Sequence, residues 1–281
     1  MLRIVTDGAA DVPLAWQKEF DIHMVPVNIQ FDGKTYLQWV ELNQDDFYRL
    51  VDENKKIPKT SQPTPHQFAE FYKKLVNPGD TILSIHPSSK LSGTLDSASM
   101  AARDLAEEIE ITTFDSLSGS AAIGLLCREA RLLERAGKNM QEILAQLEKM
   151  RAEISVVMTL DTLEYARLSG RVGTLQSAMG SLLNLKPIAV IADGVVTIIE
   201  KTRTRRAAIQ RILEIAREKA GNRLVNIAIV HARDPQAGAM LLEQVRATFN
   251  IQDIILTDLS LSIASNLGPG TVGIVFCPVE Y

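Results

Sequence analysis

The sequence predicts an α/β protein of two domains, the first built on a parallel sheet. Three observations carry this reading. Short β-branched runs alternate with stretches of helical periodicity through the first half, in the order β-α-β-α-β-α expected of a parallel sheet with helices on both faces. The 281 residues exceed the roughly 100–200 of one typical domain. With 46% of residues hydrophobic and 23% charged, the chain can bury an extensive core, which excludes intrinsic disorder. Aromatics are only 5%, so aliphatic side chains must fill most of that core.

Residues 2–6 are an apolar strand closed by Asp7-Gly8, and a helix over 12–20 follows. Residues 22–31 are rich in Val and Ile and end at Asp32-Gly33, a tight-hairpin signal leading to residues 34–37. Asn43 is placed to cap a helix through Val51, with Asp45 and Asp46 at its positive end. Pro65 opens a helix to residue 76, with Phe68, Phe71, Tyr72 and Leu75 on one face. Residues 81–85 and 109–114 read as strands around a helix over 91–105. A long apolar helix over 117–136 is stopped by Gly137, and another follows over 140–151. The domain boundary falls at 152–154, giving domains 1–153 and 154–281.

The second half opens with a strand over 155–160, followed by helical stretches over 162–168 and 175–183. Residues 187–192 and 195–200 flank Asp193-Gly194, the strongest hairpin signal in the chain. An amphipathic helix over 204–220, strands over 224–230 and 251–256, and a helix over 235–248 complete a second α/β domain. Gly268-Pro269-Gly270 makes a rigid turn before the last strand, residues 271–276.

The net charge of −4 opposes general nucleic-acid binding. It is uneven: residues 1–154 hold 17 basic and 23 acidic side chains, residues 155–281 hold 13 and 11. Cys127 and Cys277 sit in apolar stretches without a C-x-x-C, as buried thiols of a reducing compartment do. An acid at Asp7 comes too early for a signal peptide, and no apolar run approaches the roughly 18 residues of a membrane helix. The expected location is the cytoplasm.

Chemistry-bearing residues gather where strands end. Ser88-Ser89-Lys90-Leu91-Ser92-Gly93-Thr94 joins a strand to a helix, where hydroxyls and free N–H groups suit a carboxylate or phosphate. The plainer reading is that Ser88 and Ser89 cap the helix. Thr60-Ser61-Gln62-Pro63-Thr64-Pro65 is a second hydroxyl-rich loop. Asp7-Gly8-Ala9-Ala10-Asp11 is a third, whose acids either cap the next helix or hold neighbouring loops. Asp115-Ser116 ends another strand. The nucleotide loops G-x-x-x-x-G-K-[ST] and G-x-G-x-x-G and the nucleophile elbow G-x-S-x-G are absent. The four histidines lack metal-ligand spacing; His86 and His231 end strands, and the structural reading is preferred for both. Arg203, Arg205 and Arg206 cluster in a basic segment, residues 201–223, that suits an anionic ligand or acidic partner.

Together these pieces resemble the DegV family, the bacterial fatty-acid-binding family that includes the FakB subunits of fatty acid kinase. The resemblance runs in order through Thr6-Asp7-Gly8-Ala9-Ala10-Asp11-Val12-Pro13, Thr60-Ser61-Gln62-Pro63-Thr64-Pro65, Ser88-Ser89-Lys90-Leu91-Ser92-Gly93-Thr94 with Ser97-Ala98, Asp115-Ser116, Ser169-Gly170-Arg171, Leu183-Asn184-Leu185-Lys186-Pro187, Arg203-Thr204 and Gly268-Pro269-Gly270. It implies a two-domain DegV-like fold, with an N-terminal domain of the DegV (EDD) type, and one long-chain fatty acid in an apolar tunnel between the domains. It implies that Ser92 and Thr60, with Ser61 and the backbone of Gly93 and Thr94, hold the carboxylate. It further implies a carrier rather than an enzyme, without a cofactor, which presents its ligand to a separate ATP-dependent kinase and touches the membrane transiently to exchange lipid. Arg171 and Arg203 resemble family arginines at the carboxylate end, where the partner docks. Relatives carry His at the position of Asn266, which can donate a hydrogen bond but holds no charge. Gly8 also stands where relatives often have Ser. The alternative is a phosphotransfer enzyme related to dihydroxyacetone kinases, which needs a catalytic histidine or a nucleotide loop. A DNA-binding regulator would rest on the basic segment alone.

Overall fold

The computed structural model describes residues 1–170 and 185–280. The helix expected over 175–183, and Arg171, lie outside the described residues. The chain divides into two compact units, Met1–Glu148 with Ser260–Ser262, and Lys149–Leu259 with Ile263–Tyr281.

In the first unit β1 (Leu2–Asp7), β2 (Ile22–Val25), β6 (Thr81–His86) and β7 (Glu110–Asp115) form a wholly parallel sheet in the order β2-β1-β6-β7. Val5 and Ile82 turn to one face and join Phe68 and Tyr72 of α3 (Pro65–Leu75) and Ala98 and Ala101 of α4 (Thr94–Asp104) in one buried cluster. Successive strand residues alternate faces, so the fully buried Ile4 and Leu83 turn the other way. There α5 (Ala121–Arg135) packs against β1 and β6. Helices thus cover both faces, as the sequence order requires.

The run 22–31 is not one strand. Pro26, which has no N–H to give a ladder, separates β2 from β3 (Asn28–Phe31). β3 joins a second, three-stranded antiparallel sheet with β4 (Lys34–Leu37) and β5 (Lys59–Ser61). The Asp32-Gly33 hairpin forms as expected, with φ of +47° and +80°, the pair a type I′ turn needs. α1 (Leu14–Glu19) follows Pro13 with no side-chain cap. α2 (Gln44–Asn54) is capped by Asn43, which accepts the Asp46 N–H at 2.9 Å. α3 has a full capping box between Thr64 and Gln67. α6 (Met140–Glu153) carries the chain out of the unit.

The second unit contains β8 (Ser155–Thr159), α7 (Glu164–Ser169), β9 (Lys186–Ala192), β10 (Val195–Thr202), α8 (Arg205–Ala220), β11 (Val225–His231), α9 (Pro235–Thr248), β12 (Ile251–Asp258), α10 (Leu261–Leu267, which begins in the first unit) and β13 (Val272–Pro278). Its sheet runs β10-β9-β8-β13-β11-β12, antiparallel except for the β11–β12 pair. The last strand therefore lies inside the sheet, and every residue of it is buried. Val157, Ile188, Ile227 and Ile274 pack against Ile212 and Ala216 of α8 and Leu241 and Val245 of α9. Cys127 and Cys277 are free and buried. Among the described residues, no helix is long and apolar enough to cross a membrane.

Ahead of β6, the Asp80 carboxylate accepts the backbone N–H of Asn77 at 3.1 Å and the Nε–H of Arg3 at 3.0 Å. The Asn77 N–H leads in lowering its pKa from 3.8 to about 2, with the Met1 ammonium at 3.1 Å and then Arg3 adding to it. A carboxyl depressed in the folded state contributes stability above its unfolded pKa and loses it as pH falls through the folded value. Asp80→Asn should therefore lower the urea midpoint at pH 7, with the deficit shrinking between pH 4 and 2. A deficit independent of pH would show that the carboxylate's charge is not what holds the β6 entry.

Candidate functional site

The carboxyl ends of β1 and β6 carry a continuous buried polar chain. The Asp7 carboxylate accepts the Ala9 N–H at 2.9 Å on one oxygen and faces His86 Nδ1 at 2.7 Å on the other. His86 Nε2 lies 2.7 Å from Ser84 Oγ, and Ser84 Oγ lies 2.8 Å from the Tyr72 hydroxyl. Asp7, Ser84, His86 and Tyr72 are all fully buried, and Phe68 stands edge-on to the imidazole at 5.1 Å. An ionised carboxylate only accepts, so the network assigns the hydrogen to Nδ1. Ser84 then donates to Nε2 and Tyr72 donates to Ser84, which satisfies every link with a neutral ring. Burial pushes the Tyr72 phenol pKa up. The Asp-His-Ser order is that of a nucleophilic triad, yet the serine is sealed beneath Tyr72 and no substrate reaches it.

Three loops leave this sheet edge and tie to one another. Ser88 N–H donates to Ser118 O at 2.8 Å, Ser120 N–H to Ala9 O at 3.0 Å and Ser116 N–H to His86 O at 3.1 Å. The Ser89 hydroxyl donates to Asp115 at 2.8 Å. Asp11, at φ +48°, accepts the Ser260 N–H at 2.7 Å and the Ser120 hydroxyl. Gln38 is fully buried; its amide donates to Gly8 O at 2.9 Å and accepts the Ser262 N–H at 3.1 Å. The acids of the first loop hold neighbouring backbone, and α1 has no side-chain cap.

The expected helix over 91–105 starts at Thr94, with Gly93 at its N-cap, because residues 88–92 close on themselves. Leu91 and Ser92 N–H both donate to Ser88 O, at 2.9 and 3.1 Å. Ser88 and Ser89 therefore do not cap α4. Ser92 Oγ shares a 2.8 Å hydrogen bond with Thr94 Oγ1 and receives the Thr94 N–H at 3.3 Å. Thr60 and Ser61, read from sequence as loop, lie on β5 opposite Ile29 and Asn28. The next residue, Gln62, bridges the two segments: a Cβ built on Gly93 would stand 2.7 Å from Gln62 Nε2. The structure thus sets Gln62, the residue after Thr60 and Ser61, against Gly93, which lies between Ser92 and Thr94. Gln62 lies within the Thr60–Pro65 segment but carries no sequence signal of its own.

Asn266 lies half-buried on α10 in the second unit. Arg203 is exposed in the turn between β10 and α8, also in the second unit. Arg205, its neighbour in the basic cluster, is spent on Gly270 O at 2.6 Å and on Asp234 at 2.5 Å. His231 is buried at the end of β11 with Nδ1 3.1 Å from Asp258. Among the described residues, no group of His, Cys, Asp and Glu side chains could hold a metal ion.

The polar chain generates a graded prediction. Asp7→Asn lets the chain reverse, with the amide donating to a δ-acceptor imidazole, so few groups lose a partner and the cost is about 1–3 kcal/mol. Asp7→Ala orphans both the Ala9 N–H and the His86 Nδ1–H and should cost more, on the order of 3–5 kcal/mol. Urea unfolding of the two variants measures this; equal losses would mean the imidazole does not depend on Asp7.

A family model described as "Uncharacterised protein, DegV family" matches residues 1–279. The protein DegV of Bacillus subtilis is 32% identical over 278 residues, covering 98% of this chain and 99% of that one. A solved DegV-family structure from Thermus thermophilus, described by its fatty acid binding, superposes with a TM-score of 0.92 at 31% identity, over 99% of both chains. The crystal structure of DegV from Bacillus subtilis, described as a fatty acid binding protein, gives a TM-score of 0.89 at 31% identity, again over 99% of both. Sequence and fold agree along the whole length, and the chain belongs to the DegV family.

Proposed function

We propose that this chain binds a long-chain fatty acid, with the carboxylate held by the hydroxyls of Ser92, Thr60 and Ser61 and by the backbone of Gly93 and Thr94. The observation that carries the reading is that Gln62, just after β5, lies against Gly93 at the α4 entry, in a family whose relatives at about a third identity are described as fatty acid binding. Neutral hydroxyl and N–H donors suit a carboxylate that must stay reactive, since they orient it without neutralising it. The tail supplies most of the affinity, at about 0.8 kcal/mol per buried CH₂. On this reading the chain is a cytoplasmic carrier that presents its ligand to an ATP-dependent kinase for conversion to acyl phosphate. Asn266, Arg171 and Arg203 then act at the head group and in docking, as the family resemblance implies.

Mass spectrometry of the gently extracted protein should detect a co-purified long-chain acid. Ser92→Ala should weaken fatty acid binding by about 1.5–3 kcal/mol, the worth of a hydrogen bond to a charged acceptor, with the fold intact. Unchanged affinity would remove Ser92 from the head group. Charge reversal at Arg203 should lower acyl-phosphate yield in the presence of the kinase while ligand affinity persists; loss of ligand with docking retained would exchange those roles.

A further inference from the structure

Gln62 has a position that the hydroxyl residues alone do not explain. Its carbonyl is fixed by the Asn28 amide at 3.1 Å, and Asn28 is in turn held by the Gln67 amide at 3.2–3.3 Å, within the capping box of α3. The residue's backbone is therefore rigidly placed, yet its side chain is exposed, and its amide makes no hydrogen bond among the described residues. That amide rests against Gly93, whose neighbour in sequence is Ser92, as Ser61 is the neighbour of Gln62. A Cβ at Gly93 would lie 2.7 Å from its Nε2 and 3.2 Å from its Cδ. Gly93 has φ −76° and ψ 10°, a conformation open to any residue. A side chain at 93 would meet the Gln62 amide, the end of a flexible side chain, and not the backbone.

We propose that Gln62 is the residue that reads the head group as a carboxylate: its Nε2–H donates to the ligand oxygen beside Ser92, and Gly93 lacks a side chain so that the amide can lie there. The inference rests on the fatty acid reading above and adds a specificity determinant to it. An amide both donates and accepts, but a carboxylate ligand can only accept, so only the NH₂ end is useful to it. Gln62→Glu keeps the shape and replaces the donor with an anion. That side chain repels a carboxylate but still accepts from an alcohol O–H.

The test compares dissociation constants for palmitate and for the alcohol of the same chain length, at neutral pH, in wild type, Gln62→Glu, Gly93→Ala and the double variant Gln62→Ala/Gly93→Ala. Gln62→Glu should weaken palmitate about tenfold or more and leave the alcohol within about twofold, so that the acid-to-alcohol preference collapses. Gly93→Ala, which displaces the amide without altering it, should shift the same ratio in the same direction. The double variant should be no worse than Gly93→Ala, since the amide is already displaced. Acid and alcohol affinities falling together in every variant would make Gln62 structural and overturn the inference while leaving the fatty acid reading intact. An unchanged ratio in Gln62→Glu would overturn it in the same way. A wild type that binds neither probe would overturn both.

Discussion

Everything at the carboxyl edge of the parallel sheet depends on one buried carboxylate. Asp7 has no solvent to share its charge, so both oxygens must be satisfied by the protein. The Ala9 N–H fixes the turn that follows β1, and His86 fixes the neighbouring strand end beside it. Because a carboxylate accepts only, it dictates the imidazole tautomer, which dictates the direction of the Ser84 hydroxyl and then that of Tyr72 on α3. One group at the end of β1 thereby orients β6 and a helix 65 residues downstream. The loops carrying residues 8–13 and 87–93 leave from these two fixed ends, and the hydroxyls of Ser92 and Thr94 inherit their placement.

The second constraint comes from the far end of the chain. Ser260–Ser262 return to the first unit, and their backbone N–H groups are taken up by Asp11 and Gln38 across 249 and 224 residues of sequence. Gln38 is delivered there by a strained turn. Trp39, a bulky residue, sits at φ +64°, a conformation that costs on the order of 1–3 kcal/mol and persists only when its surroundings insist on it. Here Trp39 N–H donates to Leu42 O at 2.9 Å and Leu37 N–H to the Glu41 carboxylate at 2.8 Å, which lock the turn. The strain places an amide that bridges Gly8 O and Ser262 N–H, beside the Ser262 hydroxyl, which also donates to Gly8 O at 2.9 Å.

How much of this the sequence revealed follows from which interactions are local. The cap at Asn43, the opening of α3 at Pro65 and both Asp-Gly hairpins were legible because each rests on neighbours a few residues apart, and the parallel first sheet was legible from the alternation of strands and helices. Starts of α4 and α5 were read too early, because apolar periodicity ran on through residues 91–93 and 117–120. Residues 88–92 instead close on Ser88 O, while bonds to Ala9 O and from Ser88 N–H hold residues 117–120 out of the helix, with Leu117 and Ser120 at positive φ. α10 escaped because Leu259-Ser260-Leu261-Ser262-Ile263 alternates like a strand; it is helical because Ser260 and Ser262 N–H are claimed by distant acceptors. The candidate head-group residues were legible as motifs, whereas the Asp7–His86–Ser84–Tyr72 chain was not, since a buried histidine has no local signature.

The basic segment shows why a charge run in a sequence is a poor measure of a charged surface. Arg211 makes a two-pronged contact with Glu200, 2.8 Å on each side, and reaches Glu214 and Glu218 as well, which hold its pKa above the usual arginine value. Arg223 is bound to Glu153 at 2.8 Å, and Arg205 links Asp234 to the Gly270 carbonyl at the start of β13. Each of these guanidinia ties one element to another, using the planar fork that lysine lacks. Arg203 and Arg206 remain exposed at the β10–α8 turn and form no ion pair among the described residues. An acidic partner approaching this turn would meet two free guanidinia and not the full run, so its recognition would depend on where they stand more than on how many basic residues the segment contains.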